Sequence, residues 1–456
     1  MVDEKIVTAV YFYLCLRLKT NSLMTSLEHR TIFQPYDLEE TGGQSITSLN
    51  AGAQTLKNKS FGPSSAIAET PSGGTKITFI IQSTLFEQLL MNKMYLACEI
   101  VAGKAAGVVV NADGTTDGSL DYFPLAQMFS SSQIRINSQL VSSIDNLGEV
   151  AIFNYRTLPK SQRDTLASTM HTDAIYKSKD DATRGAYTAG FGVKGQEFLL
   201  PLGLVHGMCS SESVFAIPAA TIELSFTVHS DYVKRMNSLQ AQALVTLKFA
   251  NWRLFATHAS PAEPDPVAGR TLVYEVPSWS VQRLIHSAAA QQTSQVGVPA
   301  STYKVMLAVQ QAAVNSDSGK FLYDWKAAAL DTGKEIEDCR LRLGSARAPD
   351  TSYSLGWTAA HTQRSFRAYL DYITSVGVVD RANQGVETYA EWLHAGPIFA
   401  FPLVRPVDDQ SSMAEVMTKF ADVNPGVVLL YVAARQTIFL DYSSGEVATV
   451  REGDGV

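Results

Sequence analysis

The sequence predicts an all-β fold made of two tandem domains, and two observations support this prediction. Short stretches of alternating apolar and polar residues recur along the chain, separated by segments rich in Gly, Ser and Asp. Similar segments then reappear in the same order roughly two hundred residues later. Many short strands with few helical stretches are typical of β-sandwiches and barrels.

The composition fits a folded protein with two sizeable cores. The chain has 456 residues, of which 46% are apolar and 18% are charged, and its formal net charge is −7. This length has room for two domains. So apolar a chain is not expected to be disordered, and without runs of Lys and Arg it is not expected to coat nucleic acid.

The clearest strand signal lies at residues 221–229, where apolar and polar side chains alternate at every position. A second run begins at Val245 and changes its apolar phase after Phe249, which predicts a β-bulge near Ala250–Asn251. The other predicted strands are Thr75–Gln82, Met94–Val101, Ile134–Val141, Phe198–Leu204, Thr271–Val276, Tyr303–Val309, Val427–Val432 and Thr437–Tyr442. Helices are predicted within Gly148–Met170, with a break at Pro159, and at Gln363–Val376 and Val386–His394.

Paired segments indicate that the domain is duplicated. Phe198–Leu202 (FLLPL) is echoed by Phe399–Leu403 (FAFPL), and Met94–Cys98 by Val305–Val309. Thr75–Gln82 is matched with Thr271–Val276 as the opening strand of each half. The predicted divisions are an N-terminal arm over 1–64, a first domain over 65–259, a Pro-rich linker over 260–268, a second domain over 269–450 and a tail over 451–456.

The N-terminal segment and the cysteines indicate what membrane contact and which redox state to expect. Residues 6–18 are apolar but too short to span a bilayer and have no basic n-region. Residues 1–23 are therefore interpreted as an upstream extension before Met24 or as a mobile arm, and contact of this arm with a membrane is left open. The four cysteines are widely spaced without a CxxC pair, which predicts reduced, mostly buried thiols rather than a disulfide framework or a zinc site. They are Cys15, Cys98, Cys209 and Cys339.

A longer motif then resembles a known family. The stretch Tyr122–Ser142 (YFPLAQMFSSSQIRINSQLVS) is similar to a segment of the major capsid proteins of polinton-like viruses, adintoviruses and Maverick elements. Met128-Phe129-Ser130 takes the place of the family's Leu-Phe-Ser core, Asn137 the turn, and Leu140-Val141-Ser142 the end. The helical patch 151–158, then Phe198–Leu202, Phe215–Phe226 and Gly396–Leu403, follow in the family's order, so the similarity covers roughly residues 70–450.

The resemblance implies two tandem eight-stranded jelly rolls, a double jelly roll of the adenovirus-hexon and tailless-phage lineage, with a few short helices in the inter-strand loops. It also implies a major capsid protein whose homotrimers form pseudo-hexameric capsomers of an icosahedral shell around double-stranded DNA. The expected partners are neighbouring capsomers and penton and minor or cement proteins, and contact between the N-terminal arm and an internal membrane is left open. No sequence-specific nucleic-acid binding is expected. The N-terminal extension departs from the family pattern.

Motifs that could carry chemistry are interpreted as structural, and no catalytic, cofactor-binding or metal residues are assigned. Gly190–Gly195 matches GxGxxG but precedes a strand rather than a helix, so it does not predict a dinucleotide site. The carboxylates of Asp113, Asp117 and Asp121 have the wrong spacing for an EF-hand and predict a hairpin tip. The histidines near strands, which lack HxH or HExxH spacing, are His206, His229 and His258.

Two further residue types could suggest other functions. The serine pairs 210–211 and 411–412 lack a nucleophile elbow. The five tryptophans could stack sugars, but packing in cores and interfaces is the commoner role of large aromatic side chains. They are Trp252, Trp279, Trp325, Trp357 and Trp392.

The sequence therefore predicts a virion shell protein that is assembled in the infected host cell. The outward loops are expected at residues 104–119, 171–195, 313–334 and 344–361, and the arm is expected to lie beneath the shell and tie neighbours together. The alternatives left open are a carbohydrate-binding β-sandwich and a β-rich glycoside hydrolase, because inspection of the carboxylates does not exclude a catalytic pair.

Overall fold

The computed structural model describes residues 36–37, 55–104, 123–170, 196–210, 216–236, 245–260, 271–286, 289–299, 301–311, 325, 329–330, 333–343, 346–349, 351–357, 362–376, 386–401, 403, 412–424, 426–441 and 447–451. The predicted loops at 104–119, 171–195 and 313–334 lie mostly outside these residues. So do the predicted linker and residues 1–23.

Strands make up most of the described chain, and they are numbered in chain order. They are β1 (Tyr36–Asp37), β2 (Thr55–Phe61), β3 (Lys76–Gln82), β4 (Gln88–Lys104), β5 (Phe129–Ile136), β6 (Gln139–Asp145), β7 (Gln196–Pro201), β8 (Ala216–Ile217), β9 (Thr221–Val228), β10 (Val245–Ser260), β11 (Thr271–His286), β12 (Gln291–Val298), β13 (Thr302–Gln311), β14 (Ile336–Leu343), β15 (Ala346–Ala348), β16 (Phe399–Phe401), β17 (Ser412–Phe420), β18 (Gly426–Asp441) and β19 (Val447–Arg451).

The helices of the described residues lie between strands. They are α1 (Pro124–Met128), α2 (Leu147–Arg156), α3 (Lys160–Met170), α4 (Tyr232–Met236), α5 (Thr362–Val376) and α6 (Tyr389–Ala395). The predicted break at Pro159 separates α2 from α3, because proline removes a backbone donor that a continuous helix needs. Helix α6 begins at a capping box formed by Thr388 and Glu391.

Strands of the first half form two antiparallel sheets that face each other. One has the order β2-β10-β4-β7, with β8 beside β4, and the other has the order β3-β9-β5-β6. Strands of the second half repeat this arrangement as β11-β18-β13-β16, extended by β1 and β19, and β12-β17-β14-β15. Without the short β8 in the first half and the added β1 and β19 in the second, each half places its eight strands in the orders 1-8-3-6 and 2-7-4-5. This is the jelly-roll order, and the chain is therefore a double jelly roll.

The echoed sequence segments occupy equivalent strands. Met94–Cys98 and Val305–Val309 lie in the third strands, β4 and β13, and the FLLPL and FAFPL segments reach the sixth strands, β7 and β16. In each half, helices lie between the fifth and sixth strands. The duplication predicted from these segments is confirmed.

Other local predictions have mixed outcomes. The bulge is confirmed by a register shift between Ala250 and Arg253, where Asn251 has a φ of 55°. The strand predicted at Ile134–Val141 is wrong, because β5 and β6 form a hairpin there. Its turn is Asn137–Ser138, with φ of 48° and 71° as a two-residue hairpin turn requires, and Asn137 was the predicted turn residue.

The correspondence of the opening strands is also wrong. Thr75–Gln82 falls on β3, the second strand of its roll, whereas Thr271–Val276 falls on β11, the first strand of its roll. The true equivalent of β11 is β2, which pairs with β10 although its residues fall in the range 1–64 assigned to the arm. Likewise, the two strands predicted at Val427–Val432 and Thr437–Tyr442 are one strand, β18, and the loop predicted at 344–361 includes β15.

Candidate assembly surfaces

The two rolls of one chain meet across a sheet face of the second roll. Helix α2 of the first roll lies on the outer face of β18, and every residue of α2 is buried or nearly so. The Phe153 ring packs on Tyr431 with 5.1 Å between ring centroids, and the Tyr431 hydroxyl donates to Asn154 Oδ1 at 2.7 Å. Burial of apolar rings between the rolls favours one fixed arrangement of the two.

A buried ionic cluster holds the end of α2 in the second roll. The Arg156 guanidinium donates to both carboxylate oxygens of Glu387, at 2.9 and 3.0 Å, and to the Gly396 carbonyl at 2.7 Å. The Arg163 guanidinium lies 3.4 Å from the same carboxylate, and the Tyr372 hydroxyl donates to the Arg156 carbonyl. The side chains of Arg156 and Glu387 are both fully buried, so Arg156 depends on Glu387 for neutralisation and Glu387 depends on Arg156 together with Arg163.

A second cluster surrounds Glu149 at the start of α2. Its carboxylate accepts from Arg235 of the first roll and from Arg283 of the second, both at 2.9 Å. Burial raises the pKa of the Glu149 carboxyl, but the Arg235 and Arg283 guanidiniums outweigh burial and hold the pKa below its ordinary value. The carboxylate is therefore ionised near neutral pH and bridges the two rolls.

Close backbone contacts complete this junction. The Asn146 side chain donates to the Val281 carbonyl, and the Gln436 side chain donates to the Val141 carbonyl. Gly207 lies so close to β11 that a Cβ placed on it would be 1.7 Å from the carbonyl oxygen of Pro277. The two rolls therefore pack so closely at Gly207 that no space remains for a side chain.

The outer face of the β2-β10-β4-β7 sheet in the first roll is partly exposed, as its described residues show. Tyr95 of β4 pairs with Phe255 of β10, and their rings stack with 4.8 Å between centroids on the outer side of the sheet. Tyr95 is 37% exposed, and Phe255 and Leu199 beside it are half-buried. We call these three residues the Tyr95 face.

The structure places the residues that could have carried chemistry apart from one another. His206 lies in the first core, His229 follows β9 and His258 lies near the end of β10. Among the described residues no group of His, Cys, Asp and Glu could hold a metal ion. Gly190–Gly195, the Asp113, Asp117 and Asp121 carboxylates, Cys15, Ser211 and Ser411 lie outside the described residues.

The remaining candidates have structural surroundings. Ser210 donates to the Gly207 carbonyl and so closes a turn. Four tryptophans are buried, namely Trp252, Trp279, Trp325 and Trp392, while Trp357 is half-buried against Trp392. This confirms their expected role in packing. Cys98, Cys209 and Cys339 are free, buried thiols whose pKa values are raised by burial. No helix in the described part of the chain has the length and apolar character needed to cross a membrane.

His206 is the most strongly perturbed histidine. Its two ring nitrogens lie 2.8 Å from the Ser132 hydroxyl and 2.9 Å from the Ser142 hydroxyl, so one nitrogen donates and the other accepts. Burial lowers the pKa of the imidazole to about 3. The ring therefore stays neutral in the folded protein and fastens the turn after β7 to the hairpin of β5 and β6.

We expect acidification to destabilise the protein through His206. Between the folded pKa of about 3 and the unfolded value near 6.5, only the unfolded chain takes up the proton, so the free energy of unfolding falls by roughly 1.4 kcal/mol per pH unit below 6.5. Urea unfolding at pH 7.5 and pH 5 measures this loss, which should be smaller in His206→Gln. An unchanged pH dependence in the variant would contradict the assignment. A residual slope is expected, since burial also lowers the pKa values of His258 and His286.

Comparison with known proteins shows the same fold in viral shells. No protein-family model matches the chain. No curated protein matches it in sequence. A chain of the Sputnik virophage, solved by cryo-EM, is 12% identical with a TM-score of 0.56, over 89% of this chain and 90% of that chain.

Two further structures agree with this result. A chain of the PBCV-1 virus capsid is 9% identical with a TM-score of 0.55, over 88% of this chain and 98% of that chain. The mavirus major capsid protein is 12% identical with a TM-score of 0.50, over 87% of this chain and 90% of that chain. At these identities the likeness establishes the fold, and it extends across both jelly rolls.

Proposed function

We propose that this chain is the major capsid protein of an icosahedral DNA virus and that it works by self-assembly rather than catalysis. The observation that carries the proposal is the double jelly roll, which the mavirus major capsid protein and a PBCV-1 capsid chain share over nearly their whole length. The resemblance of Tyr122–Ser142 to viral capsid proteins supports it from the sequence.

The capsomer is a homotrimer with a pseudo-hexameric outline. Each chain supplies two rolls of the same strand order, so three chains around one axis supply six similar wedges. A near-hexagonal unit can tile a shell through repeated contacts of one kind, and many weak contacts together hold such a shell. The rigid junction around Arg156 and Glu149 supports this role, because a tile must keep a fixed angle between its two wedges.

The other partners follow from the same proposal. Penton and minor or cement proteins close the shell at its vertices and seams, and the arm before β2 lies beneath the shell against neighbours or an internal membrane. The double-stranded genome is enclosed without sequence-specific contacts from this chain. Mass spectrometry of purified particles tests this set of partners, and particles made of this chain alone would contradict it.

The purified full chain should behave as a trimer. We expect light scattering to give three times the 49.6 kDa of one chain, and electron microscopy to show particles with a hexagonal outline. Oligosaccharide binding and hydrolysis, measured on the same sample, test the lectin and glycosidase alternatives. A monomer that binds or cleaves oligosaccharides would contradict the capsid proposal.

A further inference from the structure

Within one chain, the first roll covers the outer face of the β11-β18-β13-β16 sheet, which belongs to the second roll. Met306 of β13 pairs with Tyr431 of β18 at the centre of this face, and the two side chains are 1% and 2% exposed. The side chains that lie on Tyr431 are Phe153 and Asn154 of α2, which belong to the first roll. The contact is heterologous, because a sheet face of one roll meets a helix of the other.

The Tyr95 face occupies the position in the first roll that Met306 and Tyr431 occupy in the second. Aligning Met94–Cys98 with Val305–Val309 places Tyr95 on Met306, and the cross-strand partners of the two, Phe255 and Tyr431, both lie in the eighth strand of their roll. Yet Tyr95 is 37% exposed where Met306 is 1% exposed. Among the described residues, the duplicated chain therefore uses one copy of this face internally and leaves the other copy partly exposed.

The equivalent of α2 in the second roll also has an uncovered side. Helix α5, like α2, is the first long helix between the fifth and sixth strands of its roll. Its Ala368 and Tyr372 are buried, and the Tyr372 hydroxyl donates to the Arg156 carbonyl at the junction, whereas Arg364, Phe366 and Arg367 are exposed, Phe366 by 43%. Helix α2 lacks such an exposed side because the neighbouring roll covers it.

Charges beside the two open surfaces are locally complementary. Glu99 and Glu197 are direct cross-strand partners at one end of the Tyr95 face, and like charges placed opposite each other destabilise a sheet. The exposed side of α5 carries Arg364, which would relieve this repulsion, and Arg367, whose guanidinium donates to Thr351 within its own roll, adds positive charge beside it. Arg253 is also exposed and lies on the same sheet face, where it pairs with Ala97. The acidic character is therefore confined to the end of the Tyr95 face at Glu99.

We propose that the Tyr95 face binds the exposed side of helix α5 in a second copy of this chain. The contact between chains thereby repeats the contact that joins the two rolls within one chain. Repetition of one heterologous contact forms a ring when the rotation per contact closes. In the proposed trimer six rolls make six such contacts, which alternate between intrachain and interchain. The inference rests on the proposed capsid function and specifies which surfaces make the trimer.

A charge placed on the Tyr95 face should dissociate the trimer. We expect Tyr95→Glu to raise the concentration at which trimers half-dissociate at least tenfold, measured by light scattering across a dilution series. The matched control is Ile80→Glu, on the outer side of the opposite sheet of the same roll, where Ile80 is 48% exposed. The control should remain a trimer, and circular dichroism checks that both variants are folded. A Tyr95→Glu trimer as stable as the wild type would overturn the proposal.

A cross-link test does not depend on weakening the assembly. In the double variant Tyr95→Cys with Phe366→Cys, mild oxidation should join separate chains and give a covalent ladder up to the trimer on a non-reducing gel. The pairing of Ile80→Cys with Phe366→Cys should stay at the monomer mass. No ladder from the Tyr95 double variant, in a protein that is trimeric in solution, would overturn this inference and leave the capsid proposal standing. A wild-type chain that is monomeric would instead contradict both.

Discussion

Replacing Arg156 by Ala should lower the free energy of unfolding by about 3–5 kcal/mol, the usual cost of removing one partner from a buried ion pair. The substitution leaves the fully buried Glu387 carboxylate with Arg163 at 3.4 Å as its remaining close cation, and leaves the Gly396 carbonyl without its 2.7 Å donor. Urea unfolding followed by circular dichroism measures the change. Because Arg156 joins the rolls, the transition of the variant should also become broader as the rolls unfold less cooperatively.

The exposed pair Arg342–Glu415 provides a matched control. It joins two neighbouring strands of the second roll at 3.2 Å, but both side chains are more than a third exposed. Arg342→Ala should therefore cost less than about 1 kcal/mol, because solvent and salt already screen the pair. Equal losses in Arg156→Ala and Arg342→Ala would show that the buried cluster contributes no more than a surface pair, and that apolar packing alone fixes the junction.

The sequence predicted the fold best where strands are buried on one or both faces. Thr221–Val228 alternates because one side faces the core and the other faces out, and the apolar stretch of β18 reflects burial between its own core and α2. The apparent gap between the two strands predicted in β18 falls at Arg435 and Gln436. Gln436 is nevertheless buried, and its side chain donates to the Val141 carbonyl of the first roll, so a polar residue is accommodated there by a hydrogen bond while the strand itself continues.

The strands that the sequence did not predict are mainly in the β12-β17-β14-β15 sheet of the second roll. In β12, Gln291–Val298, the first five residues are Gln, Gln, Thr, Ser and Gln, so hydrophobic alternation is absent although the strand pairs along its whole length with β17. In β17 the outward Met413 and Met417 obscure the inward set of Ala414 and Val416. Sheet pairing, a nonlocal interaction, decides these segments against their local pattern.

The junction between the rolls could not be predicted from the sequence. Arg156 and Glu387 are separated by 231 positions, and nothing near either residue marks the other as its partner. One signal was available in α2, whose apolar sequence LGEVAIFNYR carries Glu149 and Arg156 one at each end. Charges within so apolar a helix indicate buried partners, but only the fold shows that these partners belong to the other roll.

Replacing Gly207 by Ala should be the most damaging single-atom change at the junction. The new Cβ would lie 1.7 Å from the Pro277 carbonyl oxygen and 2.6 Å from its carbonyl carbon, and these atoms belong to a paired strand rather than to a side chain that could rotate away. The two rolls must therefore move apart locally, and we expect a loss of about 3 kcal/mol or more in the free energy of unfolding, measured by urea unfolding.

Gly297→Ala separates this steric effect from the general effect of replacing glycine. Gly297 lies in β12, and a Cβ there would meet no atom within 4 Å, so the substitution should be neutral or slightly stabilising. If Gly207→Ala matched this control, the close approach of the two rolls would be wrong. If Gly207→Ala folds but its rolls are displaced, it should also weaken the trimer, because a ring of six rolls closes only when the angle inside each chain matches the angle between chains.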